Sequence, residues 1–238
     1  MSWTDRPMTR HEAGRFVQRA RLDGGRSQIA FSLLLDTLAR PGEIRSLARV
    51  ELPPGLPAPL VLPLALADVE VPVAVVAADP DSPWPALVAD ATGAPLVTPG
   101  MAAQVVLLDG FGPEDLLGLA RGTDQDPDGG TRVAVACRAL HPIDAPTAAA
   151  TTAPDVVVEL SGPGVDGTRR LGLDGLDRAV LDAIAEACSR FPTGIDCWFV
   201  TPTGDVAAVP RSSHLEVLAP APAPTTAPHH GSTTEEVD

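Results

Sequence analysis

Gly162-Pro-Gly164-Val-Asp-Gly167 spells G-x-G-x-x-G behind an apolar run, the spacing that lets a backbone turn closely around a pyrophosphate. That chemistry needs a helix opening at the third glycine. Here Thr168-Arg-Arg-Leu-Gly172 and Leu173-Asp174-Gly175 follow, so the pattern predicts a hairpin or loop. Ser212, Ser213 and His214, with Asp196 upstream, contain the residue types of a Ser-His-Asp nucleophile. No G-x-S-x-G elbow accompanies them, and neighbours on a strand face opposite ways, so polar strand-end residues are the simpler reading. Arg211 follows Pro210 at a strand end and could grip a carboxylate or phosphate through two parallel N–H bonds. Asp196, at a helix-to-strand junction, offers the alternative: a structural Asp196–Arg211 pair joining neighbouring strand ends, which is the preferred reading.

Other chemistry is thinly supplied. Cys137, Cys188 and Cys197 form no C-x-x-C pair, and His11, His141, His229 and His230 show no H-E-x-x-H spacing, so no metal site is expected. The thiols are expected to be free, in or near the core of a cytosolic protein. Carboxylate pairs abound because the chain is acidic, which makes any single pair uninformative. There is no lysine: all 17 basic residues are arginines. A pyridoxal phosphate Schiff base on this chain is therefore excluded, as is the phosphate loop that places Lys before Ser or Thr.

The 238 residues carry a formal charge of −14, which argues against a whole-surface binder of nucleic acid or anionic membrane. With three Trp, five Phe and no Tyr, stacking platforms for single-stranded bases are scarce. Hydrophobic residues make up 45%, enough for one sizeable core. The polar N-terminal stretch has no secretory apolar segment, and prolines break the longest apolar run, Leu56–Ala67, so a cytoplasmic chain is expected. Charge is uneven: residues 1–49 hold nine Arg against five acids, and the remainder eight against 26. The basic arm either lies on an acidic surface, its own or a partner's, or is solvated with a helical stretch.

The elements that must position these residues follow from periodicity and punctuation. Phe31, Leu34, Leu35 and Leu38 recur at helical spacing, predicting a helix from a Ser27 cap to Arg40, where Pro41-Gly42 ends it. A second helix is expected over Leu60–Asp68, a strand over Val71–Ala77, and a helix from a Ser82-Pro83 start through Asp90. Gln104–Leu108 reads as a strand, Pro113–Ala120 as a helix and Gly122–Gly130 as a surface loop. Strands are expected at Arg132–Cys137 and Val156–Leu160, a helix at Leu176–Arg190, and a hairpin of Cys197–Thr201 with Val206–Val209. Pro/Ala/Thr-rich residues 219–238 have no periodic apolar face and are expected to be disordered. Helices interleaved with strands, then strands in succession, indicate an α/β fold with a mixed sheet.

In order, these segments resemble the PhnH family of the bacterial carbon–phosphorus lyase system. The signature is Phe191-Pro-Thr-Gly-Ile-Asp196, a strand, then Val209-Pro-Arg-Ser-Ser-His214-Leu-Glu-Val217, similar to the family's F-P-x-G-I-D … P-R-T-T/S pattern. Supporting stretches are Ala30–Gly42, Leu64–Asp68 with Val71–Val73, Leu119–Thr123 and Leu160–Gly164. Ser32 stands where members commonly have Arg, and Ser212-Ser213 where Thr-Thr is frequent.

The resemblance implies an α/β three-layer mixed-sheet sandwich similar to the large domain of pyridoxal-phosphate-dependent transferases, without the cofactor site. It runs over about residues 27–217, so the chain divides into the basic N-terminal arm (1–26), the family-like domain (27–218) and the tail (219–238), which is an addition to the family pattern. It marks Pro192, Gly194, Asp196, Arg211, Ser212 and Ser213 as motif positions and assigns none of them to catalysis, cofactor or metal. The implied role is an accessory, non-catalytic subunit of the complex that makes α-D-ribose 1-methylphosphonate 5-triphosphate from methylphosphonate and ATP. Its implied partners are the carbon–phosphorus lyase subunits G, I and J, with a homodimer in isolation and neither nucleic acid nor membrane. Two alternatives remain: a module that binds a phosphonate or nucleotide, and an independent phosphate-ester-processing enzyme using Arg211, Asp196 and the serines.

Overall fold

A computed structural model of the chain describes residues 10–143 and 153–218, with side chains from Arg15 onward. Two sheets organise it. Strands β2 (Val73–Val76), β3 (Gln104–Leu107), β4 (Arg132–Ala136) and β8 (Asp196–Val200) form a parallel ladder. β9 (Asp205–Val209) runs antiparallel to β8, and two-residue β1 (Arg45–Ser46) antiparallel to β9, giving the order β1-β9-β8-β4-β3-β2. The second sheet is antiparallel, ordered β10-β6-β7-β5, from β5 (Ala139–Pro142), β6 (Val156–Ser161), β7 (Arg169–Asp174) and β10 (His214–Val217). The fold is thus α/β, with one mixed and one antiparallel sheet.

Side chains alternate across a strand, so the six-stranded sheet feeds two cores. Val133 and Val135 face one side, packing with Leu160, Leu171 and Leu173 of the second sheet and with Leu181 and Ile184 of α6 (Arg178–Ala187). Ala134 and Trp198 face the other, against α1 (Arg10–Ala20), α2 (Gly24–Ala39), α3 (Val61–Leu66) and α4 (Trp84–Thr92). The Trp198 indole donates to the Leu34 carbonyl at 3.2 Å and to Thr37 Oγ1 at 3.1 Å, satisfying its buried N–H while tying α2 to β8.

Several expectations need adjusting. Helix α2 starts at Gly24, not Ser27: Asp23 occupies the cap and its carboxylate accepts from the Arg26 amide at 2.9 Å. Its inward line is Ala30, Leu34 and Thr37, while Phe31 and Leu35 stay 49% and 53% exposed. The small residues let the helix approach Trp198, which turns the bulky pair outward. Ser82 does not cap α4; Pro83 holds that position without a side-chain bond. α5 (Pro113–Leu117) and α6 are shorter than expected. Strands β1, β5, β7 and β10 are additional to those the residue pattern predicts. Chain N-terminal to residue 27 is already packed, with Phe16 and Ala20 buried in the second core. The expected tail, His229 and His230, and residues 145–152 of the Ala145–Pro154 connection lie outside the described residues.

Candidate functional site

The segment after α6 turns sharply before entering β8. Gly194 has φ +151°, and a Cβ there would sit 2.9 Å from Arg211 Cβ and 3.1 Å from the Ala187 carbonyl. A side chain at 194 would therefore push the two chain segments apart. The Gly194 amide donates to the Arg121 carbonyl at 2.8 Å and the Asp196 amide to the Thr131 carbonyl at 3.1 Å, docking the turn on the segment that leads into β4.

Asp196 then meets Arg211 at the amino ends of the parallel strands. The Arg211 amide donates to Asp196 Oδ1 at 3.0 Å, Nε approaches both carboxylate oxygens at 3.2 Å, and Nη2 donates to Oδ2 at 2.6 Å. Nη1 donates to the Pro127 carbonyl. Only 12% of the Arg211 side chain and 16% of the Asp196 side chain are exposed. Charges this far out of water persist only when paired and hydrogen-bonded, and the pairing is bidentate. The hydrogen bond to Asp196 holds the guanidinium above even its ordinary pKa. One arginine thus joins three elements: β8, the end of β9, and the 122–130 loop, where Pro127–Gly129 forms a 3-10 turn.

The remaining motif positions do not converge on a reacting centre. Pro192 is exposed on the turn. Ser213 is buried at 3% exposure, its amide donating to the Pro210 carbonyl at 2.9 Å and its Oγ without a partner among the described residues. Ser212 lies in the turn before β10, with its carbonyl against Gly162. His214 is exposed on β10 opposite Ser161, and no hydrogen bond among the described residues joins it to Ser212, Ser213 or Asp196. A nucleophile–base relay requires such contacts.

Gly162–Gly167 is the β6–β7 connection, a hairpin. A side chain at Gly164, where φ is +84°, would collide with the Ala39 carbonyl at the end of α2, so this glycine serves packing. The three thiols are free and buried. Burial raises all of them, Cys188 to about 11, Cys137 to about 12 and Cys197 well above its ordinary value, so none offers a thiolate near neutral pH. Among the described residues no group of three or more His, Cys, Asp or Glu side chains is placed to hold a metal ion. No helix among them is long and apolar enough to cross a membrane.

A family model described as bacterial phosphonate metabolism protein (PhnH) matches residues 23–216, most of the chain. The chain belongs to this family. No curated protein matches it. PhnH membership covers nearly all of both sheets and the Asp196–Arg211 clamp, and gives the chain a role in bacterial phosphonate metabolism. Sequence reasoning missed the Pro127 carbonyl as the second partner of Arg211. Only turn chemistry was visible there, because backbone acceptors leave no residue-type signal.

Proposed function

We propose that this chain is the PhnH-type accessory component of the carbon–phosphorus lyase core complex. In this reading it supports, without catalysing, the formation of α-D-ribose 1-methylphosphonate 5-triphosphate from methylphosphonate and MgATP, with adenine leaving. Subunits G, I and J are its partners, and it forms a homodimer when isolated, in the cytoplasm. The observation that carries the accessory role is the occupancy of the signature charges: Asp196 and Arg211 are spent on each other, and Arg211 also on Pro127. A guanidinium committed this way has little left for a phosphonate. The finer fold reading is a sandwich like the large domain of pyridoxal-phosphate transferases, and a chain with no lysine has no Schiff-base anchor for that cofactor. Pro192, Gly194, Ser212 and Ser213 then act as shape-setting positions around the clamp.

Reconstitution tests this directly. The chain is co-expressed with G, I and J, and adenine release from MgATP and methylphosphonate is followed with and without it. The expected result is co-purification, turnover by the assembly and none by the chain alone. Multiple turnovers by the isolated chain, or failure to co-purify with any partner, would overturn the proposal.

A further inference from the structure

The carboxyl ends of the parallel strands open into a cavity of about 530 Å³. Ala77 and Ala78 follow β2, Leu108 and Asp109 follow β3, Ala136 ends β4 and Val200 ends β8, and all line it. In open α/β sheets this is the end where ligands bind, and the volume lies within the roughly 300–1,000 Å³ typical of small-molecule sites. Floor and wall are apolar, formed by Pro59, Ala136, Val200 and Trp84, the last tilted against Phe16 at a centroid distance of 6.3 Å.

The polar lining has one sign. Asp79, Asp109 and Ser82 supply it, and among the described residues neither Arg nor His lines the cavity. Asp109 Oδ1 accepts the Ala78 amide at 2.8 Å, bridging the ends of β2 and β3, and Asp79 Oδ1 accepts the Asp81 amide at 2.9 Å. Each carboxylate is thereby oriented, while its second oxygen has no partner among the described residues. An ionised carboxylate only accepts hydrogen bonds, so an occupant must bring donors. Two negative charges, with no counter-charge among the described lining residues, beside a low-dielectric floor favour a cation and repel an anion.

We infer that this cavity binds a small organic cation, with an apolar body on the alanine, valine and proline floor and an ammonium or guanidinium head between Asp79 and Asp109. The inference is independent of the accessory role, and it excludes the cavity as a phosphonate or nucleotide-phosphate pocket. A matched probe series tests it by calorimetric titration of the full chain: 2-phenylethylammonium, 2-phenylethanol and phenylphosphonate share an aromatic body and differ in the head group. The ammonium should bind tightest, the alcohol more weakly and the phosphonate not at all, with added salt weakening only the ammonium. Asp79→Asn and Asp109→Asn should each weaken the ammonium roughly threefold to fivefold, at unchanged alcohol affinity and unchanged melting temperature. Both keep a side-chain oxygen for the backbone bond. Ala136→Leu, which fills the floor, should remove ammonium and alcohol together. No ammonium binding at millimolar concentration, phosphonate binding as tight as ammonium, or aspartate variants that bind the ammonium unchanged would each overturn the inference.

Discussion

The two ends of the parallel ladder treat the same residue type in opposite ways. At the amino ends, Asp196 is nearly buried and its carboxylate is held by Arg211 through both oxygens. At the carboxyl ends, Asp79 and Asp109 are exposed, each tied through one oxygen to a backbone amide, with no partner for the other among the described residues. The physics behind the contrast is desolvation. A carboxylate taken out of water must be paired, and pairing uses up its capacity to bind anything else. A carboxylate kept at a wet rim costs little to leave open and keeps that capacity. The signature motif therefore marks where this fold is held together, and the loops after β2 and β3 mark where it has binding capacity to spare.

Breaking the clamp should have the largest effect. Asp196→Ala leaves a nearly buried guanidinium with one carbonyl partner, and urea denaturation should show a loss of about 3 kcal/mol. Asp109→Ala at the other end should cost about 0.5 kcal/mol, since an exposed carboxylate is simply replaced by water contacts. Equal losses would erase the contrast. Gly194→Ala comes next, at about 1–2 kcal/mol, because it combines a positive φ with a Cβ crowding Arg211.

A buried thiol lies near each end of the ladder. Cys188 lies beneath the amino-end turn, its thiol donating to the Ile195 carbonyl at 3.4 Å, whereas Cys137 follows the cavity residue Ala136. Both titrate higher in the folded chain, at about 11 and about 12, than in an unfolded one, where about 8.5 is usual. Their contribution to stability is thus complete below about pH 8.5 and is lost as pH rises towards the folded values. Stability should be flat in this respect near neutrality and fall above about pH 9. At a pH of about 8, below the usual thiol range, neither should react with a disulfide reagent in the folded chain, and in Asp196→Ala the Cys188 thiol should react first. The smallest effect is expected at Ser213→Ala. Its buried Oγ has no partner among the described residues, so removing it should leave stability unchanged or raise it by a few tenths of a kcal/mol.

Much of this architecture is legible in the residues alone. The β-branched runs at 73–76, 104–107 and 132–136 sit inside the strands expected from them, because parallel strands buried on both faces read as continuous apolar stretches. Asp196 and Arg211 could be brought together because the Pro202-Thr-Gly-Asp205 turn folds β9 back along β8, pairing Cys197 with Val209 and leaving the two residues at adjoining ends. β7 is hidden by Gly172 and two arginines, β5 by Pro142, and β1 by its two-residue length. β10 carries a readable signal in the alternation of exposed His214 and Glu216 with buried Leu215 and Val217. The cavity escapes a linear reading because Asp79 and Asp109 act as rim residues only once four strand ends, far apart in sequence, lie side by side.

The claim that the signature pair is a clamp can be tested most directly by a double-mutant cycle: urea denaturation of the parent chain, Asp196→Ala, Arg211→Ala and the double variant. Both single variants should lose stability, and the double should lose clearly less than their sum, with a coupling of about 2 kcal/mol. Single variants as stable as the parent, or losses that simply add, would contradict it.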